Sequence, residues 1–151
     1  MKKNQFDSRP AEILLIEDEQ ADIDLISRAF EKSKISNNLS FVRNGEEALE
    51  FLRKEGAYSD VKTPDIVLLD LNMPKMSGRE ILVQVKSDES LKMIPIIVLT
   101  SSDAEEDIVK SYQLGANCYI QKPIDLNEVN KIILSLENFW FSIVTLATVD
   151  R

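Results

Sequence analysis

The chain contains no histidine. That removes Ser-His-Asp and Cys-His catalysis, and with them the imidazole ligands of most transition-metal sites. A metal site would have to rest on oxygen ligands and so take a hard cation such as Mg2+, Ca2+ or Mn2+. Cysteine is reduced to one residue, Cys118, which excludes an internal disulfide and fits a reducing compartment; a cytoplasmic location is expected. No apolar run approaches the ~20 residues of a membrane span. The opening "MKKNQFDSRPAE" has lysines but no apolar segment behind them, so no secretory signal is expected. Positive charge is also short. With 18 Lys and Arg against 26 Asp and Glu, the formal net charge is −8, which argues against nucleic acid or an anionic membrane as partner.

What is present is a chain of 151 residues, 44% hydrophobic, enough for one domain with a sizeable core. Five short apolar runs read as strands: Ile13–Ile16, Leu39–Val42, Ile66–Leu69, Ile96–Leu99 and Cys118–Ile120. Helical patterns lie between them. Asp22 to Ser33 carries Ile23, Ile26 and Phe30 on one side, and Gly45 to Lys54 carries Ala48, Leu49 and Leu52. Ser77 followed by Glu80 predicts a helix with Ile81, Leu82 and Val85 inward; Asp103 with Glu106, and Asp125 with Glu128, predict two more. Gly115 is placed to end the first of these in the left-handed conformation, and residues 55–64, "EGAYSDVKTP", read as a surface loop.

Such alternation predicts an α/β fold: a doubly wound, five-stranded parallel sheet with helices on both faces. Residues 1–10 are expected to be a flexible N-terminal segment, 11–137 the domain, and 138–151 an extension of the last helix plus a tail. Sites in such folds lie beyond the carboxyl ends of the strands, where strand order reverses. Glu17 and Asp18 follow the first predicted strand, Asp70 the third, Thr100 the fourth and Lys122 the fifth. Any one of these could be a helix cap or a solvated loop residue. Converging acids, however, repel one another unless a cation intervenes, and Mg2+ with carboxylates and water fits that need. A carboxylate nucleophile, a hard cation and a lysine together suit phosphoryl transfer.

"ILLIEDE", "DIVLLDLNMPKMSG", "IPIIVLTSS" and "CYIQKPI", spread from about Glu12 to Leu136, together resemble the receiver domain of two-component response regulators. The resemblance implies the flavodoxin-like (β/α)5 receiver fold and a phosphorylation-activated switch rather than an enzyme. It makes Asp70 the acceptor of a phosphoryl group from a sensor histidine kinase. Glu17, Asp18, Asp70 and the backbone carbonyl of Asn72 would hold Mg2+. Thr100 would close on the phosphoryl group and Lys122 pair with its oxygens, while Pro123 would follow through a cis bond. Tyr119 would turn inward as Thr100 moves. Glu17 stands where the family often has Asp, one methylene longer and still a ligand.

Two other readings use the same residues. A haloacid-dehalogenase-type phosphatase needs a second aspartate two residues past the nucleophile to protonate the leaving group, and position 72 is Asn. A degenerate receiver, acting as a binding module, would be expected to lack Asp70, an acidic-pair member or Lys122; all are present.

Residues 138–151 are too few for an added DNA-binding domain, so output through a protein contact is expected. Phe139, Trp140 and Phe141 are consecutive, and neighbours on a helix point about 100° apart, so they cannot all face one core. They are candidates for a homodimer interface; the competing reading folds the tail over the first helix. This tail, the 55–64 loop and "DLNMPKMSGRE" are similar to the small single-domain regulators that partner cyanobacterial and bacterial phytochromes. That likeness implies a light-responsive, phytochrome-type kinase as donor.

Overall fold

The computed structural model describes residues 10–73, 76–100, 113, 115–116, 118–121, 125, 127, 129–131, 133–134 and 137–138. Five strands form one parallel sheet: β1 (Ala11–Ile16), β2 (Asn37–Val42), β3 (Ile66–Asp70), β4 (Ile96–Thr100) and β5 (Cys118–Gln121), in the order β2-β1-β3-β4-β5. The helices α1 (Gln20–Glu31), α2 (Gly45–Arg53) and α3 (Gly78–Lys86) connect them, and helical residues recur between Asn127 and Asn138.

Successive strand residues point to opposite faces, and the core divides accordingly. Ile13, Leu15, Ile66, Leu68, Ile97 and Leu99 bury one face against Ile23, Ile26, Ala29 and Phe30 of α1 and against Val129 and Ile133. Leu14, Ile16, Val67, Leu69, Ile96 and Val98 bury the other against α2 and α3, through Ala48, Leu49, Leu52, Ile81, Leu82 and Val85. This is why the central runs are continuously apolar rather than alternating: both sides of the sheet are covered. The predicted apolar stripes of all three helices are the buried ones.

Local signals account for most boundaries. Ser77 caps α3, its hydroxyl accepting from the Glu80 N–H at 3.4 Å, and Asn44 caps α2 by accepting from the Glu47 N–H at 2.9 Å. Gly115 has φ 107°, as its predicted role requires. Three boundaries differ from the sequence expectation. The first helix starts at Gln20 rather than Asp22, on Glu19, which makes no side-chain cap; the Glu19 carbonyl accepts from Ile23 N–H at 3.0 Å instead. The second strand begins at the polar Asn37 and Asn38, because it lies at the sheet edge and needs only one pairing partner, with Ala11 and Glu12 opposite them. Within the 55–64 loop, Gly56–Tyr58 forms a 3-10 turn. Tyr58 ties that turn to α2: its ring lies 5.2 Å from the Phe51 ring, and its hydroxyl donates to Glu47 Oε2 at 3.0 Å. The helix predicted to start at Asp103 lies outside the described residues.

Candidate functional site

From β1 the chain crosses to β2 on one side, whereas β3 lies on the other, so strand order reverses between β1 and β3. The connections leaving these neighbours pass to opposite faces and open a crevice at their carboxyl ends. Ile16 pairs with Leu69, so one step further along the sheet brings Glu17 level with Asp70. Carboxylate oxygens of Glu17, Asp18 and Asp70 all lie within 4.8 Å of one another.

An apolar strand that ends in Asp70 suggests a carboxylate lifted clear of the core. The structure corrects this. Asp70 is the last residue of β3 itself and only 3% exposed, and Glu17 is fully covered, while Asp18 is half-buried. Backbone donors offset part of the burial cost: Asn72 N–H donates to Asp70 Oδ1 at 3.0 Å, and Asp18 and Glu19 N–H donate to Glu17 Oε2 at 3.1 and 3.2 Å. Asp18 Oδ1 is different. It is buried and, among the described residues, has no hydrogen-bond partner. Three carboxylates at this spacing, one of them with a stranded acceptor oxygen, suit a hard divalent cation. The residues therefore fit the ion that the sequence predicts.

The other expected site residues fall around this centre to differing extents. Asn72 sits exposed in the turn directly after β3. Thr100 ends β4, the neighbour of β3, one position beyond the Asp70–Leu99 pair, and is itself paired with Gln121. Tyr119 lies in β5 opposite Val98. The side chains of Thr100 and Tyr119, and the whole of Lys122, Pro123, Phe139, Trp140 and Phe141, lie outside the described residues.

One contributor was not anticipated. Gly78, at the start of α3, packs on the backbone of Asp70 and Leu71, with its N–H donating to Leu71 O at 3.2 Å. Its signal in the sequence is a glycine inside a helix start already capped by Ser77, where almost any other residue would favour the helix more.

A parallel sheet of this order with an acidic, cation-fitting crevice at its switch point defines a class of phosphoacceptor switch, and the sequence comparison agrees. The chain belongs to the response regulator receiver domain family, whose profile matches residues 13–134. Its relatives include Response regulator Rcp1 of Synechocystis sp., 42% identical over 137 residues, covering 91% of this chain and 93% of that protein. Among solved structures, the phosphorylated cyanobacterial phytochrome response regulator RcpA is 46% identical with a TM-score of 0.81, covering 89% of this chain and 96% of that one. The Mn(2+)-bound form of Rcp1 is 41% identical with a TM-score of 0.79, covering 87% and 94%. The chain is thus closely related to phytochrome-associated regulators. Receiver domains are autocatalytic phosphoacceptor switches in two-component signalling, not enzymes for external substrates, and each works with a cognate sensor histidine kinase. Among the described residues, no helix is long and apolar enough to cross a membrane.

Proposed function

We propose that Asp70 is the phosphoacceptor, that Mg2+ held by Glu17, Asp18, Asp70 and the Asn72 carbonyl supports the transfer, and that the donor is a phytochrome-type histidine kinase. The observation that carries this reading is the buried carboxylate of Asp70 beside Glu17 and an Asp18 oxygen with no partner, at the switch point of the sheet. When bound, the cation neutralises the carboxylates and the phosphoryl oxygens. The chain's own residues do the rest. An Asp70 oxygen forms the new O–P bond as the P–N bond to the donor imidazole breaks, and that imidazole nitrogen takes up a proton. Asn72 has no acidic proton to give a leaving group, which favours a signal acceptor over a phosphatase. The acyl phosphate is a labile anhydride that carries a charge of about −2 where the free carboxylate carried −1. Thr100 and Lys122 are the residues proposed to contact it differently in two states, with Tyr119 carrying the change to the surface.

The same reading keeps the protein in the cytoplasm, with neither nucleic acid nor membrane as partner, and gives its output through protein contacts. The tail is proposed to build a homodimer through Phe139, Trp140 and Phe141. Trp140→Ala with Phe141→Ala is then expected to convert a dimer to a monomer in sedimentation; an unchanged oligomeric state would count against the interface. For the function itself, acetyl phosphate should label the chain only when Mg2+ is present, and hydroxylamine, which cleaves acyl phosphates, should remove the label. Hydroxylamine-stable label, or none, refutes the assignment. A panel of kinases then identifies the donor: transfer from a phytochrome-type kinase should be the fastest.

A further inference from the structure

Leu71, Asn72 and Met73 follow β3, and Met76 and Ser77 lead into α3. Two glycines pack against these residues. At Gly78 a Cβ would stand 2.7 Å from the Asp70 carbonyl oxygen, 2.7 Å from Leu71 Cα and 3.0 Å from Leu71 Cδ2. Two of those three atoms are backbone, so no change of rotamer clears them. The requirement at Gly78 is for space. On the flank, a Cβ at Gly45 would meet Met76 Cβ at 2.6 Å and its Cγ and Sδ at 2.9 Å. There the nearest obstacle is Met76 Cβ, which its own backbone fixes, with Cγ and Sδ behind it.

We infer that Gly78 is a positioning residue for the phosphoacceptor site. It allows the first turn of α3 to seat directly on the Asp70–Leu71 backbone, and this seating fixes both the Asp70 carboxylate and the turn that presents Asn72. Gly45 supports the entry into α3 through Met76. Asn72 N–H reaching Asp70 Oδ1 at 3.0 Å is the hydrogen bond that depends on this seating. A methyl at position 78 has to push the helix away from the strand or displace the strand's end. Either movement shifts ligand oxygens with respect to one another, whereas a loss of helix stability alone would not. The inference rests on the proposal that Asp70, Glu17 and Asp18 hold a divalent cation.

The test uses the full chain, with Mn2+ binding followed by electron paramagnetic resonance and acetyl phosphate labelling at saturating Mg2+. Wild-type chain that binds no Mn2+ would refute the site reading itself, separately from the role of the glycine. With wild-type binding established, Gly78→Ala is expected to weaken Mn2+ affinity by about 10-fold or more, the loss typical when the support of a metal ligand is removed. It should also slow labelling at saturating Mg2+. Val85→Ala, a cavity in the same helix with a comparable loss of stability, should keep wild-type Mn2+ affinity. Gly45→Ala should weaken affinity less, and adding Met76→Gly, which removes all three obstructing atoms, should restore it. A folded Gly78→Ala variant with wild-type Mn2+ affinity, or one no weaker than Val85→Ala, overturns the inference. If Gly78→Ala does not fold, the Gly45 pair decides: a loss restored by Met76→Gly supports it, and no loss or no restoration overturns it.

Discussion

Asp70→Asn is expected to abolish labelling by acetyl phosphate and, in the same molecule, to make the metal-free protein more stable. The first effect follows because an amide oxygen is a poor nucleophile and cannot give the acyl phosphate. The second follows from the burial of the cluster. Glu17 and Asp70 are almost completely covered, and their oxygens and those of Asp18 lie within 4.8 Å. Without a cation, three like charges share a small space, among backbone donors that include the N–H groups of Asn72, Asp18 and Glu19. Asparagine keeps the shape, still accepts from Asn72 N–H, removes one charge and adds a donor where acceptors predominate. Relief of like-charge repulsion of this kind is worth about 1–3 kcal/mol, one to two pKa units. Urea unfolding in a chelator should show it. An Asp70→Asn protein less stable than wild type under those conditions would mean that the cluster is not under repulsive strain.

Magnesium should act in the opposite sense on the wild type. An ion that binds only the folded chain adds RT ln(1 + [L]/Kd), about 2.7 kcal/mol at a hundred times Kd. Thermal unfolding should therefore shift upward with Mg2+ and return with chelator. Asp18→Asn should abolish most of that response, since the buried Asp18 Oδ1 has no hydrogen-bond partner among the described residues. It should also raise the chelated baseline, as Asp70→Asn does. Equal responses to Mg2+ in wild type and Asp18→Asn would place the ion elsewhere.

The residues that were legible in the sequence are those whose role depends on type and spacing. Apolar runs such as Ile66–Leu69 could be read as strands covered on both faces, and Ser77 with Glu80 as a helix start, because each signal is local. Asp70, Glu17 and Asp18 could be placed on one edge once the strand alternation was recognised. Their depth could not. The burial of Asp70 depends on how closely the β1 and β3 connections pack over it, and a strand that ends in a carboxylate reads the same whether that end is covered or open. Asn37 and Asn38 escaped notice because edge pairing asks nothing apolar of them. The start of α1 at Gln20 had no side-chain cap to announce it. Gly78 was missed for a further reason: its role lies in the close approach of two backbones far apart in pattern, β3 and α3, which no period reveals.

The central claim is that one aspartate at the switch point receives the phosphoryl group. It is tested most directly by labelling the wild-type chain with acetyl phosphate and Mg2+, reducing the acyl phosphate with borohydride, and mapping the reduced residue by peptide mass spectrometry. The expected result is a single modified residue, Asp70, dependent on Mg2+. Modification at another carboxylate, or none with the Mg2+ site filled, would contradict the account.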